Sequence, residues 1–176
     1  MKNHFKMSRL LLEDLNRVCE IELSAQGENG WKRQFFIDEL NNLYSNYWTI
    51  SIQDQLKQEN TIVGFLGSHI VEEEGFITNL AIDPKYQGLG YGKQLLLNFI
   101  NRLILEKVKF LTLEVRKSNL KAQNLYKKLG FEIKGVRKKY YPDTKEDALI
   151  MSIDTIQEAN FQAFIKTLKD KFSNKV

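Results

Sequence analysis

The sequence predicts a mixed α/β fold, and three observations support that prediction. Segments with alternating apolar residues, typical of strands, interleave with segments in which apolar residues recur every three or four positions, typical of helices. The length of 176 residues suits one domain with a small addition. A content of 43% hydrophobic and 27% charged residues is that of a globular protein rather than a disordered or fibrous one.

The first half of the chain contains the elements β-α-α-β-β-β. We predict a strand over 5–10, helices over 12–24 and 31–43, and strands over 48–52, 61–71 and 76–82. Cys19 falls on the apolar face of the first helix, which indicates a small core residue. The second helix has a predicted buried side formed by Phe35, Phe36 and Leu40. A polar turn is expected around 54–60, and Pro84 ends the last of these strands because proline lacks the ladder donor.

The second half continues as α-β-α-β-β. We predict a helix over 92–107, a strand over 109–115, a helix over 119–129, and strands over 131–136 and 148–153. Gly130 is expected to end the second of these helices in a left-handed cap. After Thr155 the apolar residues sit three to five positions apart, which predicts one more amphipathic helix that packs on the rest. We therefore divide the chain into a domain over 1–153 and a C-terminal helical extension over 154–176.

Charge, cysteine content and hydropathy indicate which partners and which cellular compartment to expect. The net charge of +4 is modest, so neither a nucleic acid nor a membrane is an expected direct partner. Cys19 is the single cysteine, and no apolar run has the length of a membrane span or a secretory signal, which predicts a cytoplasmic protein. His4 and His69 do not have the spacing of metal ligands, so no metal is expected. Two histidines and one cysteine also do not form a cysteine-nucleophile triad.

The stretch "AIDPKYQGLGYGKQLL" (81–96) places three glycines within five positions, directly before a helix: Gly88, Gly90 and Gly92. Glycines allow tight turns and leave backbone amides uncovered, and a helix N-terminus adds partial positive charge. Together these features form a cradle for a pyrophosphate. The structural alternative is a plain glycine-rich turn.

Two other phosphate-binding motifs fit this stretch less well. A P-loop requires a hydroxyl residue after its Gly-Lys pair, whereas Gln94 follows Lys93 here. A dinucleotide fold requires G-x-G-x-x-G and an acidic residue about 20 positions on. Here the third glycine comes one position early, and Glu106 lies at the end of a helix.

Glu114 is the candidate for proton transfer. Alternation along its strand places Glu114 on one face with Phe110 and Thr112. The other face carries the apolar residues Leu111, Leu113 and Val115. A carboxylate in such a strand is costly unless it is paired or functional. Glu114 is therefore either a general base for an attacking amine or one half of an ion pair, with Arg116 or a lysine as the partner.

Tyr126 is the candidate donor of a proton to a leaving group. It lies seven positions after Asn119 on one predicted helix, so the two side chains share a face about 10 Å apart. Tyr126 can act as a general acid or can simply be a core tyrosine. Asn119 can bind a ligand or can simply cap the helix.

These motifs resemble those of the GNAT superfamily of acyl-CoA-dependent N-acyltransferases. The resemblance rests on Gln87-x-x-Gly90-x-Gly92 and on "LEVRKSNLKAQNLYKKLGF" (113–131), and it covers about residues 5–153. It implies a three-layer fold, in which helices flank a central, mostly antiparallel twisted sheet. It also implies that Glu114 is the base and Tyr126 the acid. Acetyl-CoA is the implied co-substrate, bound by Leu80, Ala81, Ile82, Gly88, Leu89, Gly90, Tyr91, Gly92, Lys93 and Asn119.

The implied acceptor is a protein N-terminus. An α-amine has a pKa about 2.5 pH units below that of lysine, so it is easier to deprotonate by about 3.5 kcal/mol. The segment "RKKYYPDTKEDALIM" (137–151) resembles the last hairpin of bacterial ribosomal-protein-alanine N-acetyltransferases, in which tyrosines hold the substrate peptide. Tyr140 and Tyr141 match those positions, although they can also serve as an aromatic plug. A lysine, a polyamine or a small-molecule amine is the alternative acceptor, and an inactive acyl-CoA-binding module is the alternative of another class.

Overall fold

The computed structural model describes residues 5–53 and 60–173, and this part of the chain contains seven strands and five α-helices. The strands are β1 (Phe5–Arg9), β2 (Ser45–Gln53), β3 (Asn60–Val71), β4 (Glu74–Ile82), β5 (Phe110–Arg116), β6 (Glu132–Tyr141) and β7 (Glu146–Ile153). The helices are α1 (Leu15–Gln26), α2 (Arg33–Leu40), α3 (Tyr91–Leu105), α4 (Leu120–Lys127) and α5 (Ala159–Ser173). His4 and residues 54–59 of the polar turn predicted over 54–60 lie outside the described residues, and Asn60 begins β3.

The strands form one sheet in the order β1-β2-β3-β4-β5-β7-β6. The pairs β1–β2, β2–β3, β5–β7 and β6–β7 are antiparallel, whereas β4 and β5 are parallel. The predicted mixed α/β fold with a mostly antiparallel sheet is therefore confirmed. None of the helices in the described ranges is long and apolar enough to cross a membrane.

Two compact units make up the chain, one with residues 5–53, 60–69 and 79–96 and the other with residues 70–78 and 97–173. The first unit has an aromatic core in which Phe36 makes edge-on contacts with Tyr47 and Phe65, with ring centroids 6.1 and 5.5 Å apart. Cys19 packs partly buried against this core, as predicted. The second unit buries apolar residues of α3, β5, α4, β7 and α5.

The second helix is shorter than predicted, and one of its expected core residues is exposed. Helix α2 has only two turns, and Phe36 takes the buried position. Because adjacent helical residues point about 100° apart, Phe35 cannot share that position, and it is 57% exposed. The prediction of Phe35 as buried was therefore wrong.

Strand β6 extends five residues further than predicted. The segment expected to be a connection continues as strand to Tyr141, and nearly all of β6 is solvent-exposed at the edge of the sheet. An edge strand with little buried surface lacks the apolar alternation by which strands are recognised in a sequence.

Helix α4 ends in the predicted glycine cap, and the predicted tail helix is present as α5. Gly130 has φ +94°, and the Phe161 ring lies 2.8 Å from the position that a Cβ at Gly130 would occupy. Ile165 of α5 is fully buried. Before α5, Gln157 donates hydrogen bonds from Nε2 to the carbonyl oxygens of Ile104 and Val108, at 3.3 and 2.8 Å.

Candidate active site

The glycine stretch forms an open loop that ends at the N-terminus of α3. Gly88 and Gly90 have φ values of +80° and +90°, and among the described residues other than their chain neighbours no atom lies within 4 Å of the Cβ position at either glycine. The Gln94 amide donates to the Gly90 carbonyl oxygen at 3.0 Å, so the first turn of α3 begins within the glycine stretch. Residues 91–93 form this turn, at the positive end of the helix dipole. This arrangement fits an anionic group such as a pyrophosphate.

The side chains of this loop have different environments. Leu89 is exposed, whereas Tyr91 is buried. The ring of Tyr91 packs edge-on against that of Tyr86, with the ring centroids 6.5 Å apart. The Gln87 side chain donates from Nε2 to the Ile82 carbonyl oxygen at 3.0 Å. The glutamine of the glycine motif therefore connects the loop to the end of β4, where Leu80, Ala81 and Ile82 lie.

An ion pair with a buried carboxylate supports the start of the loop. Arg17 of α1 donates to the Asp83 carboxylate and, from Nε, to the Ile62 carbonyl oxygen at 3.0 Å. Asp83 is 6% exposed, and it also accepts the Lys85 amide at 2.9 Å. Burial tends to raise the pKa of Asp83, but the Lys85 amide and Arg17 outweigh burial, so the pKa lies below its ordinary value. Sequence reasoning missed this pair because its members lie 66 positions apart.

Glu114 lies in the second unit, on β5, and its partner is a residue that the sequence did not indicate. The alternation along β5 is as predicted, with Leu111, Leu113 and Val115 buried. The Glu114 side chain is only 9% exposed, and its Oε1 lies 2.7 Å from Nε of Arg137 on β6. The Tyr140 hydroxyl also hydrogen-bonds Glu114, and this bond raises the pKa of Tyr140. The predicted base therefore contacts β6, the strand that also carries the predicted substrate-binding residues Tyr140 and Tyr141.

Arg116, one of the ion-pair partners that the sequence allows for Glu114, contacts other residues instead. Its guanidinium contacts Asp143 at 2.8 Å and Glu146 at 3.6 Å, and it lies 3.9 Å from the centre of the Tyr141 ring. It thereby fixes the turn between β6 and β7. Burial is the largest cause that raises the pKa of Tyr141 to about 12, although Arg116 opposes it.

An irregularity in β6 separates Arg137 from Tyr141. The register with β7 shifts between these two residues, and Lys139 between them has φ +51°. Asp147 of β7 holds the shifted segment by accepting the Lys139 amide and the Lys138 ammonium, each at 3.0 Å. Bulges re-aim the side chains of a strand, and this one lies between the two side chains that contact Glu114.

Tyr126 and Asn119 lie on and next to α4. Asn119 accepts the Ala122 amide at 3.0 Å, so it caps the helix as the sequence allowed. Tyr126 is buried, with its ring centroid 5.6 Å from that of Phe131. Burial, with a smaller contribution from Tyr141, raises the pKa of Tyr126 above its ordinary value.

Comparison with known proteins identifies the family. Residues 14–131, more than half of the chain, match the acetyltransferase (GNAT) family. The chain belongs to the GNAT family. This family membership makes it an N-acetyltransferase, in agreement with the resemblance of its motifs. Across the described residues, no group of three or more His, Cys, Asp or Glu side chains is arranged to hold a metal ion.

Individual GNAT relatives are similar over most of their length. A Bacillus subtilis protein named as a candidate ribosomal protein bS18-alanine N-acetyltransferase is 38% identical over 90% of this chain and 100% of its own. The Escherichia coli ribosomal protein bS18-alanine N-acetyltransferase is 36% identical over 84% of this chain and 95% of its own. A crystal structure of the Escherichia coli ribosomal-protein-S18-alanine N-acetyltransferase matches with a TM-score of 0.78 and 32% identity, over 89% of this chain and 96% of that one.

Proposed function

We propose that this acetyltransferase acetylates the N-terminal α-amine of a protein, and that its substrate is the N-terminal alanine of a small-subunit ribosomal protein. The observation that carries the proposal is the contact between Glu114 and the β6–β7 hairpin, in which Oε1 of Glu114 lies 2.7 Å from Nε of Arg137, three positions before Tyr140. This contact supports a base that lies beside the hairpin to which we assign the substrate peptide. The relatives at 36–38% identity, which are named for the same acceptor, support this choice of substrate.

Acetyl-CoA is the proposed co-substrate, and it supplies an acetyl group activated as a thioester. We assign its pyrophosphate to the loop and first helical turn at 88–93, where positive φ values and the helix N-terminus favour an anion. The backbone of 80–82 and the side chain of Asn119 are assigned to the pantetheine arm. The proposed chemistry requires no metal.

The proposed mechanism uses two side chains of the second unit. Glu114 takes a proton from the substrate ammonium, directly or through water, and the neutral amine then forms the N–C bond as the C–S bond breaks. Tyr126 gives its proton to the leaving sulfur, and the nitrogen loses its second proton to water as the amide forms. The Tyr126 phenolate then regains a proton from solvent. Burial raises the pKa of Tyr126, which makes its hydroxyl a weaker acid than a free tyrosine. Proton donation in this mechanism therefore depends on the negative charge that develops on the sulfur as the C–S bond breaks.

An α-amine is the acceptor that one carboxylate can deprotonate most easily, because its pKa lies about 2.5 pH units below that of lysine. We assign catalysis to the domain over 1–153 and regard 154–176 as an extension that does not take part. The proposed partner is the protein N-terminus alone, without direct contact to nucleic acid or membrane, in the cytoplasm.

Two peptides and one variant test the proposal, with acetylation read by mass spectrometry. One peptide has a free N-terminal alanine, a ribosomal-type sequence and no lysine; the other has a blocked N-terminus and one lysine. We expect acetylation of the first alone. In Glu114→Gln the rate should fall by about 10²–10⁴-fold, the usual contribution of a general base.

Glu132→Gln is the matched control, since Glu132 is an exposed carboxylate on β6 that pairs with Lys134. It should retain the wild-type rate. Acetylation of the lysine peptide alone would refute the N-terminal substrate and leave the GNAT chemistry intact. An equal loss in both variants would refute the role of Glu114.

A further inference from the structure

The ion pair between Glu114 and Arg137 joins two side chains of very different exposure. The Glu114 side chain is 9% exposed and that of Arg137 is 57% exposed. The carboxylate is therefore largely covered within the second unit, whereas the guanidinium approaches it from the solvent side. The contact is made through Nε of Arg137 at 2.7 Å.

The proposed reaction brings a second cation to the same carboxylate. The substrate arrives as an α-ammonium, because the pKa of an α-amine is about 8, and Glu114 must contact that nitrogen to take its proton. A buried carboxylate without any partner is strongly destabilising. Exchange of one cation for another avoids that unpaired state, whereas simple departure of Arg137 does not.

We propose that Arg137 occupies the amine position in the free enzyme and that the primary ammonium group of the substrate displaces it from Glu114. This inference rests on the proposed function, and it assigns to Arg137 a positioning role: it keeps Glu114 paired and oriented until an ammonium group replaces it. The guanidinium leaves towards solvent, and the Tyr140 hydroxyl stays on Glu114. Arg137 therefore lowers the apparent affinity for the peptide without taking part in the chemistry.

The surroundings of Arg137 allow this movement. Its guanidinium lies 5.5 Å from the centre of the Tyr140 ring, so it can stack there when it leaves Glu114. Arg116 in the same unit offers a contrast, because Asp143, Thr144 and Glu146 all contact its guanidinium. Arg116 is tied to one place by several bonds, whereas Arg137 is held at its carboxylate by a contact that a smaller cation can replace.

NMR spectroscopy of arginine side chains tests the exchange without any need for catalysis. The Nε–H signal of Arg137 in the full-length protein is assigned by its loss in Arg137→Lys. Two probes are added in turn: the alanine peptide and methylammonium, which carries a primary ammonium and no peptide. We expect the Arg137 signal to move, in step with binding, towards the position of solvent-exposed arginines. A signal that stays fixed throughout both titrations would overturn the proposal.

Kinetics provide a second readout that a purely structural role would not produce. In Arg137→Gln the KM for the peptide should fall about five-fold, the factor expected from removal of a modest ion pair, with kcat largely retained. Lys134→Gln is the matched control, because it removes the same charge from β6 but pairs with Glu132 and Asp154 instead. Its KM should not change. A fall in kcat at constant KM in Arg137→Gln would contradict displacement.

The two proposals fail in different ways. If the wild-type enzyme acetylates only the lysine peptide, the N-terminal substrate is wrong, but displacement of Arg137 by methylammonium still tests the exchange. If the alanine peptide is acetylated and the Arg137 signal does not move, the function stands and the exchange is wrong. Should Arg137→Gln fail to fold, Arg137→Lys retains a cation and is compared by the same KM measurement, with a smaller decrease expected.

Discussion

Two arginine–carboxylate pairs in this acetyltransferase have the same chemistry and different construction. In the first unit, Arg17 holds Asp83 and a backbone carbonyl together, and Asp83 in turn holds the Lys85 amide. In the second unit, Arg137 is bound to Glu114, and its own side chain is largely exposed. The first pair stabilises the backbone conformation before the glycine loop. In the second pair, Arg137 covers Glu114, whose carboxylate must remain accessible to the substrate amine in the proposed mechanism. The pair of Arg17 and Asp83 is held in place because both side chains also bond to the backbone. The exposed guanidinium of Arg137 can instead be replaced on Glu114 by another cation.

The largest effect on stability is expected from Asp83→Asn. This change replaces a charge-assisted bond from Arg17 by a neutral one at a position that is 6% exposed, so the free energy of unfolding should fall by about 2 kcal/mol. Urea unfolding measures this loss. The KM for acetyl-CoA should rise as well, because the loop that follows Asp83 loses its support.

Asp143→Asn provides the corresponding control in the second unit. Asp143 also pairs with an arginine, Arg116, but that arginine has further partners and the turn is solvent-accessible. Its unfolding midpoint should shift less than that of Asp83→Asn. Equal shifts in the two variants would show that burial does not distinguish these pairs.

A smaller effect is expected from Gly90→Ala. Gly90 has φ +90° and open space around its Cβ position, so alanine meets backbone strain and no steric clash. The free energy of unfolding should fall by about 1 kcal/mol, the cost of a left-handed conformation with a side chain, and acetyl-CoA should bind more weakly. Unfolding curves and calorimetric titration with acetyl-CoA measure the two effects.

Gly135→Ala on β6 is the matched control for Gly90→Ala. Gly135 does not have a positive φ, and its Cβ position has a nearest neighbour at an ordinary 3.6 Å. We expect no loss of stability and no change in acetyl-CoA affinity. If both alanines had the same effect, the special role of the loop glycine would have to be abandoned.

The difference between the two regions also explains what the sequence could reveal. The glycine loop was predictable because its geometry depends on local backbone preferences, which Gly88 and Gly90 express within a few positions. The alternation around Glu114 was equally local. The partner of Glu114 was not predictable, because Arg137 reaches it through a bulge in an exposed edge strand, where neither alternation nor spacing marks the register. The pair of Arg17 and Asp83 was not predictable for a different reason, because its two members lie 66 positions apart in the sequence.

The smallest effect on the free energy of unfolding is expected from Glu22→Gln, and this effect should depend on pH. Glu22 on α1 is 2% exposed; its Oε1 accepts the Trp31 amide at 3.0 Å, and its Oε2 is buried without a hydrogen-bond partner among the described residues. Burial raises the pKa of Glu22, although the Trp31 amide and the Asn79 side chain oppose it. Unlike Asp83, this carboxylate has no arginine bound to it in the described structure.

The signs for Glu22 and Asp83 are opposite. Because the folded-state pKa of Glu22 is raised, its contribution to stability is lost as the pH rises from its ordinary pKa through the folded value. Glutamine cannot ionise, so Glu22→Gln should gain stability relative to wild type as the pH rises from about 4 to about 7. The pKa of Asp83 is lowered, so the cost of Asp83→Asn should grow as the pH rises towards the ordinary carboxyl pKa of about 4, and it should level off above that value. Urea midpoints from about pH 3 to about pH 7 measure both trends. A stability difference that keeps changing from about pH 5 to about pH 7 in Asp83→Asn, or that stays constant there in Glu22→Gln, would contradict the assignment of a paired charge at Asp83 and an unpaired one at Glu22.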